Sequence, residues 1–528
     1  MRPINPITRL DYPDPDIIRV DDTYYFINTS MHFFPGCEIL KSYDLCNWEH
    51  AAFVYDRLDS TPGQKLEDGV GIFGKGMWAA TLRYHKGTFY VVFVANDTQT
   101  TYLYRATDIE GPWQKSTIEG FYHDCSLLFD DDDRIYIVYG NKNVYITELK
   151  PDLTGPLEGG LHRLAVSDEG NPMLGYEGAH FYKLNGKYYL FFIHSKREYW
   201  RRTEACFVAD SIDGEFVGGD VFDDDRGYCG SGVAQGAIVD TPDGNWYSVL
   251  FQDSGAVGRL PILIPMHWEN DLPVIGVDGK VPDEFEIKST RPNYEYAPLV
   301  GDDDFKLNTE VNKSSKVKTN NYGLKVWWQF NHEPNTDLVK LDSEAGTWSV
   351  TTDTLVDNPT LARNTITQRM TYPGCDGEVT IDCSNLKEGD YAGLLALQGI
   401  YGMVGVTRRD GSLRLVTVTK DGEREYDGTD IFGVGGNGNA LRVKLSVDFT
   451  MMNDTAQFYA IRNNCNDAAG IGVCNCNKLG DDLKLAFRLD HFVGCRFGLV
   501  MYSTKEIGGT AAFSDFKYTR HETAETDI

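Results

Sequence analysis

Asp22-Thr23-Tyr24-Tyr25 is the first of five short stretches that decide the fold of this chain. Each stretch is a turn followed by an aromatic or apolar residue, a tyrosine and an apolar run. The other four are Gly87-Thr88-Phe89-Tyr90, Asp133-Arg134-Ile135-Tyr136, Gly186-Lys187-Tyr188-Tyr189 and Gly244-Asn245-Trp246-Tyr247. The final tyrosines recur at intervals of roughly 46 to 65 residues, the scale of one four-stranded blade. The repeat predicts a five-bladed β-propeller, whose blades converge on one axis where chemistry is expected.

Composition is typical of an all-β protein with two domains. At 528 residues the chain exceeds what one hydrophobic core usually supports, and the repeat ends near Leu263. Aromatic residues at 12% and 53 glycines suit twisted sheets and tight turns, whereas long helical periodicity is nearly absent. The net charge of −28, from 50 basic and 78 acidic residues, repels nucleic acids and anionic membranes. It favours a neutral substrate, although solubility alone also explains it.

Cysteine usage and the first residues predict a cytoplasmic protein, with a trimmed leader as the alternative. The start has no apolar run long enough for a signal peptide, and no window approaches a membrane span. The 11 cysteines are an odd number without a framework spacing, which suits a reducing compartment. Cys474-Asn475-Cys476 beside Cys465 lacks a fourth metal ligand, so these residues are interpreted as free thiols.

A change of composition marks the domain boundary. After Pro261-Ile262-Leu263-Ile264-Pro265 the chain is punctuated by prolines until the acidic turn Asp302-Asp303-Asp304. Short alternating strands such as Glu378-Val379-Thr380-Ile381-Asp382 follow, separated by turns at the spacing of a β-sandwich. We therefore predict a propeller over residues 1–295 and a β-sandwich over residues 296–528.

Three acids lie at matching places in different blades. Asp14, Asp124 and Glu177 each precede or open an apolar strand and have proline, small or aromatic neighbours. Strands that begin a blade run along the central channel, so acids at their starts would gather at one mouth of it. Any one of them alone would be interpreted as a turn residue or a solvated acid. Three acids in equivalent positions predict a site.

These motifs resemble those of the family 43 glycoside hydrolases, and the resemblance covers nearly the whole chain. Tyr12-Pro13-Asp14-Pro15 is similar to the motif of the family's general base, Asp124-Cys125-Ser126-Leu127 to that of its middle acid and Glu177-Gly178-Ala179-His180 to that of its general acid. Further matches, in the same order, are Phe33-Phe34-Pro35-Gly36, Met77-Trp78-Ala79-Ala80, Gln252-Asp253 and Gly258-Arg259-Leu260-Pro261. The resemblance implies a five-bladed propeller that acts on xylosides and arabinosides.

The resemblance also implies inversion at the anomeric carbon. Asp14 would be the general base that activates water, Glu177 the general acid, and Asp124 the group that orients Glu177 and raises its pKa. An inverting pair needs its carboxyl groups roughly 6.5–9.5 Å apart, a span that opposite blades can provide. A neighbouring carboxylate and a partly dry pocket both keep a glutamate protonated near neutral pH.

Five propeller residues are candidates for binding the sugar. Arg259 would donate to sugar hydroxyls and hold the general base ionised, with a surface ion pair as the alternative. Phe33 and Trp78 would form apolar walls against the C–H face of a sugar, with core packing as the alternative. His32 and Gln235 are candidates for hydrogen bonds to the substrate.

A departure from the family's pattern concerns a metal. Many relatives carry a histidine before the glutamine of the fifth-blade motif, where it approaches a calcium ion in the channel. This chain has Ala234 before Gln235. Alanine has no donor atom and cannot serve as this calcium ligand, so we predict that no metal is required, while binding of calcium stays open.

Residues 327–335, Trp-Trp-Gln-Phe-Asn-His-Glu-Pro-Asn, resemble the opening of the concanavalin A-like sandwich that accompanies exo-acting members of the family. In relatives a loop of this domain closes one end of the pocket. Here the candidate is Gly494-Cys495-Arg496-Phe497-Gly498, with Arg496 or Phe497 reaching the sugar. A capped pocket admits a chain end and excludes chain interiors. A separate carbohydrate-binding appendage is the alternative.

These features predict an inverting exo-acting β-xylosidase that releases xylose from non-reducing ends of β-1,4-xylo-oligosaccharides and has α-L-arabinofuranosidase activity as well. Its expected partners are xylo-oligosaccharides and arabinoxylan fragments, and a homo-oligomer stays open. The alternatives are an enzyme that mainly debranches arabinoxylan, a non-catalytic sugar-binding propeller and a fructoside-cleaving propeller. The last usually starts with Asn-Asp-Pro-Asn, which does not occur around Asp14.

Overall fold

The computed structural model describes residues 4–228, 230–306, 316–427, 439–461 and 476–522, and over these ranges the protein is all-β. The strands form a five-bladed propeller followed by a two-sheet sandwich, which confirms the predicted fold class. The helices in these ranges are 3₁₀ turns of three residues, namely Glu67–Gly69, Gly255–Val257, Thr336–Leu338 and Pro359–Leu361. None of the described helices has the length and apolar character that crossing a membrane requires.

Each blade is a four-stranded antiparallel sheet whose strands follow chain order from the channel outward. Blade 1 contains β1 (Asp16–Val20), β2 (Thr23–Ile27), β4 (Gly36–Ser42) and β5 (Glu49–Tyr55), with β3 (Phe33–Phe34) leaving it; blade 2 contains β6 (Met77–His85), β7 (Thr88–Ala95), β8 (Thr100–Ala106) and β9 (Gln114–Ile118); blade 3 contains β10 (Ser126–Phe129), β11 (Ile135–Asn141), β12 (Asn143–Leu149) and β13 (His162–Ser167); blade 4 contains β14 (Glu177–Leu184), β15 (Lys187–Ser195), β16 (Arg202–Ala209) and β17 (Val217–Phe222); blade 5 contains β18 (Ala234–Asp240), β19 (Trp246–Asp253), β20 (Arg259–Glu269) and β21 (Leu272–Ile275).

The five repeat tyrosines occupy the same place in every blade. Tyr25, Tyr90, Tyr136, Tyr189 and Tyr247 each lie at the start of the second strand, just after the tight turn from the first. The first and second strands pair antiparallel in all five blades. The interpretation of each repeat as a blade hairpin is therefore confirmed.

The first strands of the blades close a ring around the channel. β1 contacts β6 and β18, β10 contacts β6 and β14, and β14 contacts β18. The N-terminal segment fastens the ring, because the side-chain amide of Asn5 donates to the Leu263 carbonyl at 2.7 Å and accepts from its amide at 2.8 Å. Since every blade repeats the same strand order, the first strands run in one direction and their N-terminal ends share one mouth.

The second domain is a β-sandwich of an eight-stranded and a seven-stranded sheet. In spatial order, the eight-stranded sheet contains β3, β22 (Gln329–Asn331), β25 (Ile366–Arg369), β34 (Arg496–Ser503), β27 (Asp390–Leu397), β28 (Gly402–Arg409), β29 (Ser412–Thr419) and β30 (Gly422–Tyr426), and the seven-stranded sheet contains β23 (Val339–Asp342), β24 (Thr347–Thr351), β35 (Thr510–Arg520), β26 (Gly374–Asn385), β31 (Ala440–Asp448), β32 (Thr455–Ile461) and β33 (Cys476–Lys484). Side chains from the two sheets form one apolar core that includes Trp348, Val443 and Leu499.

The two domains share a sheet. β3 leaves the mouth of blade 1 and pairs antiparallel with β22, so a propeller segment becomes the edge strand of the eight-stranded sheet. Arg369 of the sandwich reaches into the propeller, where it donates to Glu38 Oε2 at 2.7 Å and to the Asp11 carbonyl at 2.9 Å. The sandwich is therefore docked at the mouth of the channel.

The segment between the domains runs along the propeller before it reaches the sandwich. The amide of Thr290 donates to the Tyr43 carbonyl in blade 1 at 2.7 Å, and Val300 packs in a propeller core. Asp303 then forms a bridge with Phe516 of β35. The boundary predicted between residues 295 and 296 lies within this segment.

Candidate active site

The three acids singled out in the sequence converge at the mouth of the channel. Asp14 lies two residues before β1, Asp124 lies two residues before β10, and Glu177 is the first residue of β14. Asp14 and Asp124 are 6% and 7% exposed, and Glu177 is partly buried. Burying carboxyl groups is costly unless they are paired, and such clusters are concentrated at functional sites.

A residue with positive φ stands at the start of the first strand in every blade. The angle is 54° at Asp14, 74° at Gly76, 47° at Asp124, 63° at Gly178 and 59° at Gln235. Residues other than glycine rarely adopt this conformation, although aspartate tolerates it better than most. In blades 2, 4 and 5 the pairing with the second strand also shifts register there. A register shift of this kind re-aims side chains, and in blade 4 it lies at Glu177, the acid that opens β14.

Asp14 is oriented by two donors. Nη1 of Arg259 donates to Oδ1 at 2.7 Å, and Oγ1 of Thr29 donates to Oδ2 at 2.6 Å. Burial raises the pKa of the Asp14 carboxyl, while Arg259 and then Thr29 counteract this by stabilising the charged form. The carboxylate is thus held in one orientation, as a base that must accept a proton from water requires.

Asp124 is bound to the backbone that carries Glu177. Its Oδ2 accepts from the amide of Gly178 at 3.1 Å, and its carbonyl accepts from the amide of Ala179 at 3.2 Å. One nitrogen or carboxyl oxygen from each of His123, Asp124 and Glu177 lies within 4.8 Å of the other two. Asp124 therefore both orients the start of β14 and acts electrostatically on Glu177 at short range.

Glu177 has the electrostatic environment of a general acid. Burial, followed by the charge of Asp124, raises its pKa to about 7, so a large fraction is protonated at neutral pH. Nδ2 of Asn141 donates to Glu177 Oε2 at 2.5 Å. No local motif sets Asn141 apart in the sequence, because it ends a strand of the neighbouring blade.

Arg259 is held by acids and by two aromatic rings. Besides its bond to Asp14, its Nε lies 3.3 Å from Asp253 Oδ1. Its guanidinium carbon lies 4.7 Å from the ring centre of Phe251 and 4.5 Å from that of Phe492. The two ring contacts hold the guanidinium in place, and its N–H donors lie in the plane of the group, where they can reach acids and sugar hydroxyls.

The sandwich residue that reaches this site is Phe492. Its ring lies parallel to that of Trp78, with centres 5.8 Å apart and 7° between the planes, and His123 lies 5.4 Å from the Trp78 ring. Phe492 and Trp78 are both partly buried. Phe492 has a φ of 59°, an unusual conformation for a bulky residue and one that is concentrated at functional sites.

Gly494 brings the loop that carries Phe492 onto the propeller. Its amide donates to Asp11 Oδ2 at 2.8 Å. A Cβ added to Gly494 would lie only 2.1 Å from the carbonyl oxygen of Val257. Glycine is therefore required for the close approach that sets Phe492 against Trp78.

Arg496 and Phe497, the residues expected to close the pocket, lie elsewhere. They open strand β34 rather than extend a loop, so their side chains point to opposite faces of the sheet. Arg496 is 2% exposed, and its guanidinium carbon lies 3.5 Å from the ring centre of Phe33. Phe497 packs in the sandwich core against Phe516. Phe33 itself is fully buried between the domains, so it lies behind the pocket wall.

His32 also lies in the interface between the domains. It is fully buried, and its ring centre is 4.3 Å from that of Phe33 and 4.8 Å from that of His332. Burial lowers the pKa of His32 well below its usual value, so the ring is neutral. The structure thus places His32 behind the pocket wall rather than on its surface.

Gln235 packs against the residue that follows the general acid. It is 6% exposed, and a Cβ added to Gly178 would lie 2.6 Å from its side chain. The backbone N–H of Gln235 donates to Oε2 of Glu204 at 2.7 Å. Glu204 is a fully buried carboxyl that no sequence motif marks, and burial raises its pKa well above the usual value.

The position of the family's calcium ligand is apolar in this protein. Ala234 is fully buried and packs with Ile193 and Phe251, and it offers no ligand atom. Within the described ranges, the histidine, cysteine and acidic side chains that lie close enough together to hold a metal ion are those of His123, Asp124 and Glu177. The residues around Ala234 therefore do not fit the ion, and we derive no step through a metal.

The fold and the site together define a class of enzyme. A carboxylate held by an arginine faces the same channel mouth as a carboxylic acid with a pKa of about 7. Such a pair can activate water and protonate a leaving oxygen, which is the chemistry of a glycoside hydrolase. The model of the family described as glycosyl hydrolases family 43 matches residues 3–273, and that of the β-xylosidase C-terminal concanavalin A-like domain matches residues 320–519. The chain belongs to glycoside hydrolase family 43.

Several known proteins are similar to this chain. A β-xylosidase of Formosa agariphila is 26% identical over 463 residues, covering 76% of this chain and 74% of that protein. A xylosidase/arabinosidase of Butyrivibrio fibrisolvens is 28% identical over 330 residues, covering 56% of this chain and 60% of that protein. A solved structure described as a bifunctional GH43-CE protein of Bacteroides eggerthii has a TM-score of 0.86 and 38% identity over 99% of this chain. This chain spans 64% of the length of that bifunctional protein.

Proposed function

We propose that this protein is an inverting exo-acting β-xylosidase that releases xylose from the non-reducing ends of β-1,4-xylo-oligosaccharides and also hydrolyses α-L-arabinofuranosides. The observation that carries the proposal is the arrangement of Asp14 and Glu177 on different blades beside a wall to which the sandwich contributes Phe492. The names of the relatives, β-xylosidase and xylosidase/arabinosidase, support the same substrates.

Hydrolysis follows from the charge states of the two carboxyl groups. Asp14 takes a proton from water as the water oxygen bonds to the anomeric carbon. Glu177 gives its proton to the glycosidic oxygen as the bond from that oxygen to the anomeric carbon breaks. Water enters opposite the leaving group, so the configuration inverts. Proton exchange with solvent then returns both groups to their starting states.

Arg259 and Asp124 act in opposite directions on the pKa values of Asp14 and Glu177. The positive charge of Arg259 favours the ionised form of Asp14, whereas the negative charge of Asp124 disfavours the ionised form of Glu177. Two carboxyl groups can act as base and acid at the same pH only if their environments differ in this way.

Exo action follows from the wall that the sandwich completes. Trp78, Phe492 and Arg259 stack in succession along one side of the pocket. Such a wall blocks extension of a polysaccharide chain on that side, which supports binding of a chain end. Xylopyranose and arabinofuranose ends present similar hydroxyls and a similarly placed bond, which is the geometric basis for dual activity in one small pocket.

Charge and cysteines support the remaining parts of the proposal. The net charge of −28 favours neutral oligosaccharides over nucleic acids or anionic membranes as partners. Cys37, Cys46, Cys125, Cys206, Cys375, Cys383 and Cys495 are free thiols, which supports action in the reducing cytoplasm on imported xylo-oligosaccharides. The apolar surroundings of Ala234 support catalysis without a required metal.

The proposal is tested by incubating the protein with xylobiose and, separately, with arabinoxylan oligosaccharides while NMR follows the released sugars and their anomeric form. Initial release of α-xylose from xylobiose is the expected result, and Asp14→Asn is the control that should release none. Initial β-xylose would refute inversion. Arabinose alone would assign the protein to debranching, and tight oligosaccharide binding without product would indicate a sugar-binding propeller.

A further inference from the structure

A short loop of blade 4 exposes two adjacent aromatic side chains. It spans residues 196–201 between β15 and β16, and the amide of Lys196 donates to the Arg201 carbonyl at 3.1 Å across its base. Tyr199 is 50% exposed and Trp200 is 51% exposed. Neighbouring half-exposed rings form an apolar surface that needs an explanation, since aromatic side chains are commonly enriched where a partner is bound.

This loop lies beside the general acid. Glu177 pairs with Ile193 in β15, and β15 ends two residues later at Ser195. A strand advances about 3.4 Å per residue, so the loop begins roughly 10 Å along β15 from the partner of Glu177. The two aromatic residues therefore border the same mouth of the channel as the acids.

Trp200 is held by a chain of contacts that leads to the catalytic residues. The guanidinium carbon of Arg202 lies 5.8 Å from the ring centre of Trp200 and 5.4 Å from that of Phe251. Arg202 also forms an ion pair with Asp253, which in turn contacts Arg259. The indole is thus packed on the network that positions the site.

Tyr199 is supported in a similar way. The guanidinium carbon of Arg201 lies 5.7 Å from its ring centre, and Nη2 of Arg201 donates to Asp225 Oδ2 at 3.0 Å. Each aromatic residue of the loop therefore rests on an arginine that is itself anchored by an acid. A surface supported from beneath loses little conformational freedom when a ligand binds it.

The position of the general acid indicates which part of the substrate contacts this aromatic surface. The aromatic wall runs from Trp78 in blade 2, through Phe492 and Arg259, to Phe251 in blade 5, and so encloses the channel mouth on the side of blade 1. Glu177 in blade 4 must face the leaving oxygen in order to protonate it. The leaving part of the substrate therefore extends over blades 3 and 4. For a xylo-oligosaccharide that part is a neutral chain of sugars with apolar C–H faces.

We propose that Trp200, supported by Tyr199, binds the leaving group of the substrate by stacking on the second sugar beyond the cleaved bond. This inference rests on the proposed function and adds to it a preference for chains longer than the disaccharide. Xylobiose has only one sugar beyond the bond and cannot reach the platform, whereas xylotriose and xylotetraose can.

The test compares kcat/KM for xylobiose, xylotriose and xylotetraose in the wild type, Trp200→Ala and Trp200→Phe. In Trp200→Ala, the ratio of kcat/KM for xylotriose to that for xylobiose should fall about 3- to 10-fold, the effect of one aromatic stacking contact. Trp200→Phe should retain most of the ratio. Tyr84→Ala is the matched control, because Tyr84 is 44% exposed near the far end of the first strand of blade 2.

A binding measurement separates this inference from the proposed function. The affinity of Glu177→Gln protein for xylotetraose should fall when Trp200→Ala is added, and calorimetry detects this without turnover. An unchanged substrate ratio together with unchanged affinity overturns the inference. An equal loss on xylobiose and xylotriose also overturns it, because Trp200 would then act only through Arg202. If the wild type cleaves none of these sugars, the proposed function fails, while loss of affinity still supports a sugar platform.

Discussion

Phe492 of the sandwich lies parallel to Trp78 of the propeller, with ring centres 5.8 Å apart. The Arg259 guanidinium carbon lies 4.5 Å from the ring centre of Phe492 and 4.7 Å from that of Phe251. One wall of the pocket is therefore a contiguous row of four side chains, of which Phe492 comes from the second domain. The pocket is complete only when the sandwich is docked on the propeller.

Phe492→Ala should lower kcat/KM for xylobiose about 10- to 100-fold, because it opens the wall and leaves one face of Arg259 bare. Steady-state kinetics measures the effect. Leu489→Ala is the matched control, since Leu489 lies in the same loop and is 72% exposed. Equal kcat/KM values for Phe492→Ala and the wild type would contradict a wall to which the sandwich contributes.

The rate should fall as the pH rises through about 7, because Glu177 has a pKa of about 7 and only its protonated form can donate. Well above that pH, kcat/KM should fall tenfold per pH unit. Asp124→Asn removes a charge that raises this pKa, so its alkaline limb should move to lower pH. Asp132→Asn, at a half-exposed acid of the same blade, should leave the profile in place. An unmoved limb in Asp124→Asn would contradict the coupling of the two acids.

Glu177→Ala should reduce activity on xylobiose far more than on an aryl xyloside with a good leaving group. Protonation of the leaving oxygen matters less when that oxygen departs readily as an anion. Asp14→Ala should reduce both activities strongly, because both substrates need an activated water. Relative kcat/KM values on the two substrates provide the comparison, and equal losses in Glu177→Ala would refute its role as the acid.

Glu204→Ala should lower the free energy of unfolding by about 1–3 kcal/mol, because the buried backbone N–H of Gln235 loses its hydrogen-bond acceptor. Glu204→Gln keeps an acceptor and should be better tolerated. The raised folded pKa means that the contribution of Glu204 is full below the unfolded pKa of about 4.3 and is lost as the pH rises. Urea unfolding between pH 4.5 and 7 should show this loss in the wild type and not in Glu204→Gln, with the exposed Glu215→Gln as control. Parallel curves for wild type and Glu204→Gln would disprove the raised pKa.

Treatment with a chelator followed by dialysis should leave kcat/KM unchanged. The position occupied by a calcium ligand in relatives is Ala234, which packs among apolar side chains and donates nothing to an ion. The measurement is activity on xylobiose before and after treatment, with added calcium as the comparison. A loss of activity that added calcium restores would contradict this prediction and would mean that side chains other than Ala234 bind the ion.

Local sequence was sufficient to predict the propeller and the grouping of its acids. The tyrosine repeat marks the start of the second strand in each blade, because turn residues and apolar alternation act over a few neighbouring positions. Asp14, Asp124 and Glu177 were found because their place at the start of a first strand is itself a local property. The regular strand order of the blades then brings such places together.

Contacts between distant segments decided what local sequence could not. Arg496 and Phe497 were expected in a loop, but pairing of β34 with β25 and β27 makes them strand residues, with Arg496 against Phe33 and Phe497 in the sandwich core. Phe492 reaches the pocket because Gly494 docks against blade 5 and blade 1. No pattern around Phe492 encodes that contact.

By itself, therefore, the sequence determined the all-β class, the number of blades and the identity of the acids, since these depend on short-range periodicity and strand-start positions. Only the tertiary structure decided which aromatic side chain completes the wall, how Asn141 orients Glu177, and where Trp200 stands relative to the leaving group. The physical reason is that these relationships join residues from different blades or domains. Their geometry is set by packing and hydrogen bonding across interfaces that no local pattern describes.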